Sequence, residues 1–177
     1  PSAGDWGGVL ALGGSSVTFD HTVVRYASVG ADIRSSDAHI DHSTIRDSQS
    51  SAVVIYDQAL ENLNGIIGTG NQASGNGGVD GIEAYGGTIG DTTIDTSSSW
   101  QFVVNGFADL TIPDGKTLTL APGASIKFGG TELVVGAGGS LESQGTSAAP
   151  VTLTSAYDDS VGGRVNGTHR NGDRPAN

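Results

Sequence analysis

Apolar residues in this chain return at a spacing close to 21, and that periodicity limits the fold more than any other feature. Val17-Thr18-Phe19-Asp20-His21-Thr22-Val23-Val24-Arg25 aligns on Ala38-His39-Ile40-Asp41-His42-Ser43-Thr44-Ile45-Arg46 with an offset of 21. Phe19 meets Ile40, Asp20 meets Asp41, His21 meets His42, Val24 meets Ile45 and Arg25 meets Arg46. The same offset carries Ile33 onto Val54. Each copy thus has an apolar residue, a second five later and a third nine beyond that, and Ile89/Ile94/Val103 obeys the same rule. The third copy lies 49 residues after the second, or 21 plus 28, so one coil is expected to hold a seven-residue insertion. The Gly/Asn-rich stretch Gly68 to Gly78, flanked by Leu60 and Ile82, is its expected place. A repeat of this length cannot bury its apolar face alone and must stack on its neighbours.

The repeats are rich in Val, Ile, Thr and Ser and are interrupted by Gly and Asn, which favours short strands over helices. Three short strands per coil of about 21 residues describe a right-handed parallel β-helix. The expectation is an all-β solenoid of about seven or eight coils over residues 1–155. Residues 156–177 then form a Gly/Asn/Asp-rich loop or inter-repeat connection. The second half keeps the strand chemistry. Leu110 to Ile112, Thr117 to Leu120, Ser125 to Phe128, Glu132 to Val135, Ser140 to Ser143 and Val151 to Ser155 alternate apolar with polar residues. Pro113-Asp114-Gly115, Ala121-Pro122-Gly123 and Gly136-Ala137-Gly138-Gly139 supply the turns, since Pro presets φ and Gly accepts positive φ.

Gly115-Lys116-Thr117-Leu118-Thr119-Leu120-Ala121-Pro122-Gly123-Ala124-Ser125-Ile126-Lys127-Phe128 resembles a β-helix segment of large bacterial and archaeal surface proteins, the non-catalytic type of pectin-lyase-like fold. So does Leu141-Glu142-Ser143-Gln144-Gly145-Thr146 running into Pro150-Val151-Thr152-Leu153-Thr154-Ser155. In that family the segment continues through an Asp- and Gly-rich loop into a Gly-Asp-Trp-Gly-Gly strand. Here the loop, Asp158-Asp159-Ser160-Val161-Gly162-Gly163, comes near the end, while Gly4-Asp5-Trp6-Gly7-Gly8-Val9 opens the chain. The resemblance and its circular order imply a structural repeat unit of an extracellular or cell-surface filament, matrix or adhesin. Such a unit stacks head to tail on copies of itself, with Pro1, Asp5, Trp6 and Asn177 at the joint. A chain that starts at Pro1 is expected to be a processed product or an excised segment.

Composition removes several classes. Eight Lys plus Arg against 19 Asp plus Glu leave a formal charge of -11, which opposes sequence-independent nucleic-acid binding. The chain has no Cys, so disulfide frameworks and thiol nucleophiles are excluded, and no apolar run approaches the ~18 residues of a membrane span. The stacked Asp20/Asp41, His21/His42 and Arg25/Arg46 pairs are the enzyme candidate, with Asp20, Asp41, Arg25 and Arg46 as its catalytic set, since paired carboxylates share protons or hold cations and Arg acts near an acidic sugar. A solvated ladder explains the same residues, so the expectation is a structural protein and no enzyme. The alternative is a carbohydrate-binding or carbohydrate-cleaving (lyase or hydrolase) β-helix with a surface polysaccharide as partner. No cofactor is required. Asp158, Asp159 and Asp173 are candidate Ca²⁺ ligands, because hard cations want several oxygens on a Gly-punctuated loop. Asn166 heads the only N-x-[ST] sequon. Trp6 and Trp100 are candidate sugar-stacking residues, with core packing as the plainer role.

Overall fold

In the computed structural model, which describes residues 1–95, 100–106 and 108–165, the chain is an all-β parallel solenoid. β1 (Val9–Ala11), β2 (Val17–Asp20) and β3 (Val23–Arg25) form the first rung, and β4 (Ala31–Ile33), β5 (Ala38–Asp41) and β6 (Thr44–Arg46) the second. The third opens with β7 (Val53–Ile55), passes through α1 (Asp57–Leu60) and α2 (Leu63–Ile66), and returns in β8 (Gln72–Ser74). β9 (Gly81–Ala84), β10 (Gly87–Thr88) and β11 (Thr92–Ile94) follow, then β12 (Gln101–Asn105), β13 (Leu110–Ile112) and β14 (Thr117–Leu120). β15 (Ser125–Gly129), β16 (Leu133–Val135) and β17 (Ser140–Ser143) make the sixth rung, and β18 (Thr152–Ser155) opens a seventh.

One sheet runs the whole length in the order β1-β4-β7-β9-β12-β15-β18, so six turns separate its seven strands. Every strand pairing among the described residues is parallel, as required when each coil returns in the same direction. The other faces are interrupted. β2-β5 and β3-β6-β8 serve the first rungs, while β10-β13-β16 and β11-β14-β17 serve the later ones. Inside, Ile33, Ile55, Ala84 and Val104 stack in register and are fully buried. Burying one Ile or Val of this column stabilises the fold by about 1.5–3 kcal/mol.

The strands expected from Leu110 onward are present at those positions. The register of the early repeats needs correction. Arg25 and Arg46 pair at an offset of 21, but Ala31 pairs with Val53 and Ile33 with Ile55, at 22. The corner after β6 has one residue more than the corner after β3. A one-residue slip sends a side chain to the other face of a sheet. Val54 therefore lies outward, between Asp32 and Glu83.

The third copy is corrected for the same kind of reason. Val103 pairs with Glu83 and Lys127 in that outer column and packs with Val79, Ala156 and Val165, apart from the main core. Ile94 belongs to a sheet that begins at β11 and does not extend the column of Val24 and Ile45.

The insertion also sits earlier than expected. Val53 and Ile82 pair at 29, seven more than the 22 of the coil before. Ile33 and Ile40 are seven positions apart, whereas the residues stacked on them, Ile55 and Ile67, are twelve apart. Five of the extra residues thus lie in the α1–α2 segment, which buries Ala59, Leu60, Leu63 and Ile66 in the solenoid end of that rung.

Candidate functional site

Asp20 pairs with Asp41 at the end of the β2-β5 ladder, and the chain turns sharply at the next residue. His21 and His42 hold φ of 49° and 44°, left-handed values that are uncommon for a residue with a Cβ. Hydrogen bonds below the surface hold this corner. The Thr22 amide donates to Ser43 Oγ at 3.1 Å, and Ser43 Oγ donates to the Asp41 carbonyl at 2.7 Å. The Ser43 amide donates to Asn71 Oδ1 at 2.9 Å, and buried Asn71 donates back to the Ile40 carbonyl at 2.8 Å. On the third rung Gly70 takes the same left-handed turn, at φ 65°, and a Cβ there would stand 2.8 Å from His42 Cδ2.

Each histidine is bound to the aspartate before it. His21 Nδ1 lies 2.6 Å from Asp20 Oδ1, and His42 Nδ1 lies 2.7 Å from Asp41 Oδ2. A carboxylate can only accept, so Nδ1 carries the proton and Nε2 of each neutral ring keeps its lone pair. The two rings stack with centroids 5.0 Å apart and planes 7° from parallel. Asp41 is fully engaged, because its Oδ1 accepts from the Thr69 amide at 2.6 Å and from Thr69 Oγ1 at 3.3 Å. Partial desolvation pushes the Asp41 carboxyl up, but the hydrogen bonds from His42 and Thr69 together hold it below the usual range. Asp20 spends only Oδ1, so it is the carboxylate left to serve a ligand.

The exposed side chains of Asp20, His21 and His42 bring one ligand atom each within 4.8 Å of one another. Two imidazoles and a carboxylate are a donor set that could hold a first-row divalent ion. The expectation of no enzyme is corrected by this cluster. The two repeats align at their Asp-His dipeptides, but Thr69, which holds the Asp41 carboxylate, and Asn71, which holds the Ser43 amide, come from the third rung, 28 residues further on.

The arginines do not join the site. Arg25 and Arg46 pair on the β3-β6-β8 sheet, past the turn that follows Asp20 and Asp41. Arg46 bonds Asp47 at 3.3 Å, and the Arg25 guanidinium lies 5.4 Å from the centre of the Tyr26 ring. Asp158 and Asp159 lie on a loop that already holds a cation. Buried Lys127 donates to the carbonyls of Asp158, at 2.8 Å, and Gly163. The Asp158 carboxylate accepts from Thr154 Oγ1 at 2.7 Å and from Ser160 Oγ at 2.5 Å. Asp173, Asn166 and Asn177 lie outside the described residues. At the other end, the Pro1 to Trp6 segment rests on the first rung. The Ser2 amide donates to Asp5, and the Trp6 indole donates to the Arg25 carbonyl at 2.9 Å.

A cavity of about 340 Å³ opens beside the corner, between α2 and the β11–β12 strands. Thr69 is common to its wall and to the Asp41 carboxylate, and Trp100 lines it. The cavity exists because the ladder is broken there. The β3-β6-β8 sheet ends at β8, and α2 stands where a strand would have stacked on β5.

Neither the family models, nor the curated proteins, nor the solved structures contain a significant match to this chain. No described helix is long and apolar enough to cross a membrane.

Proposed function

We propose that the chain is a carbohydrate-cleaving β-helix whose working site is the Asp20, His21, Asp41 and His42 corner. The observation that carries this reading is the convergence of Asp20, His21 and His42 ligand atoms within 4.8 Å. Imidazole nitrogens select a first-row divalent ion such as Zn²⁺ over Ca²⁺. A tetrahedral ion would draw the two Nε2 atoms to ~3.3 Å from one another. Parallel rings point their lone pairs side by side, so the rings swing toward each other on binding, which their exposure permits. The bond from His42 Nδ1 to Asp41 fixes the tautomer that leaves Nε2 for the ion, while Asp20 gives up its bond to His21 to ligate it. A bound ion would lower the pKa of its water to about 7, and attack of that water on the anomeric carbon would break the glycosidic C–O bond, the proton it loses passing to the leaving oxygen. The test is release of reducing ends from a panel of polysaccharides by the zinc-loaded and the chelator-treated protein. Activity only with metal, reduced at least 100-fold by His42→Ala, supports the reading; no release from any polysaccharide in the panel contradicts it.

A second reading, the head-to-tail structural repeat of an extracellular filament, matrix or adhesin, rests on the last rungs. Leu141 stacks on Leu118 and Leu153 on Ile126; the lower residues are fully buried, whereas Leu141 is 36% and Leu153 47% exposed. A further coil of this kind would cover them, and kinship with surface-protein β-helices is part of this reading. Concentration-dependent association in the analytical ultracentrifuge, abolished by Leu153→Glu, is its expected result. A monomer at every concentration would contradict it.

A further inference from the structure

The corner column continues past the histidines over a step that has almost no side chains. At Gly68 a Cβ would stand 2.5 Å from Asp41 Oδ1, and at Gly70 one would meet the His42 ring, so both positions are bare. Beyond this step, along the solenoid axis, Thr69 forms the near wall of the cavity between α2 and β11. Ile67, Ile94, Phe102 and Trp100 give the cavity apolar and aromatic surface, and Thr69, Thr93 and Asp95 give it polar groups. No Lys, Arg or His is among its described lining residues.

We infer that this cavity is the subsite for one uncharged sugar ring of a glycan that lies along the corner, over Gly68 and Gly70, toward His42 and His21. The inference rests on the carbohydrate reading of the corner and names its substrate class. A volume of about 340 Å³ is at the small end of ligand pockets and suits one ring or two, not a folded oligosaccharide. A pyranose has an apolar C–H face and a hydroxyl edge, which matches a cavity of aliphatic and aromatic surface with hydroxyl and carboxylate groups. A uronate, sulfated or phosphorylated sugar would bring an anion into a cavity with no Lys, Arg or His among its described lining residues, in a chain of net charge -11. The arginines that would have favoured acidic sugars are engaged with Asp47 and Tyr26 instead.

The chain has two tryptophans, so Trp6→Phe leaves Trp100 as a reporter inside the cavity. The experiment titrates this protein with cellotetraose, xylotetraose, mannotetraose, chitotetraose and trigalacturonate while following Trp100 emission. A saturable shift with at least one neutral tetrasaccharide and none with trigalacturonate is expected. Ile94→Phe, which fills the cavity, should weaken that binding at least tenfold, with the milder Thr93→Val as a second variant and circular dichroism as the check on folding. No shift with any neutral probe, tighter binding of trigalacturonate, or binding unchanged in both variants would overturn the inference. The corner reading fails separately: a saturable Trp100 shift in a protein that cleaves nothing, with or without Zn²⁺, removes the catalytic corner and leaves the subsite standing. Cleavage that Ile94→Phe and Thr93→Val leave intact removes the subsite and leaves the corner.

Discussion

The Lys127 ammonium donates to the main-chain carbonyl of Asp158 at 2.8 Å, and so ties the outer face of the long sheet to the segment that crosses it. That segment also buries Ala156 and Val165 against Val79 and Val103. A buried ammonium without its carbonyl partners would be costly, so sheet and segment hold each other in place.

One prediction concerns pH. Hydrogen bonds from Ser160 and Thr154 hold the Asp158 carboxyl at about 2, below its ordinary 3.8. A depressed carboxylate contributes stability that is fully present above its unfolded pKa and is lost as pH falls through the folded value. The crossing segment should therefore stay protected above pH ~4 and loosen between pH ~4 and ~2. Hydrogen exchange across residues 156–165 checks this, and Asp158→Asn should remove the pH step.

The backbone at the corner gives a second. His42 at φ 44° is strained as any residue with a Cβ would be, so replacing it by Gly and by Ala removes the same imidazole but different strain. His42→Gly should be more stable than His42→Ala by ~1 kcal/mol in urea unfolding. Equal stability would mean that the left-handed turn carries no strain.

The register gives a third. Ile55 is in the core column and Val54 in the outer one, beside Asp32 and Glu83. Ile55→Thr buries a hydroxyl among aliphatic side chains and should cost ~3 kcal/mol. Val54→Thr places the hydroxyl beside polar neighbours and should cost no more than about 1 kcal/mol. The opposite order would restore the 21-residue register.

How much of this was legible depended on what each element needs from distant rungs. The strands from Leu110 onward could be read because each alternates in period two and each turn has its own Pro or Gly. The coil register could not, since the corner after Arg46 takes in an extra residue with no apolar marker. α1 and α2 have four residues each, too few to show a helical period, so the insertion was assigned to the Gly-rich stretch after them. At the site, the repeated Asp-His pairs stood out in the alignment. Their orientation did not, because it comes from left-handed backbone at His21 and His42 and from Thr69 on another rung. Arg25 and Arg46 lie on a different sheet from Asp20 and Asp41, because a sharp turn separates residues that are only five apart in sequence.

The measurement closest to the central claim is calorimetric titration of Zn²⁺ into the apo protein and into His21→Ala, His42→Ala and Arg46→Ala. The corner as described binds one Zn²⁺ per chain, loses it in either histidine variant and keeps it in Arg46→Ala. Absence of saturable binding, or binding that survives loss of both histidines, would contradict it.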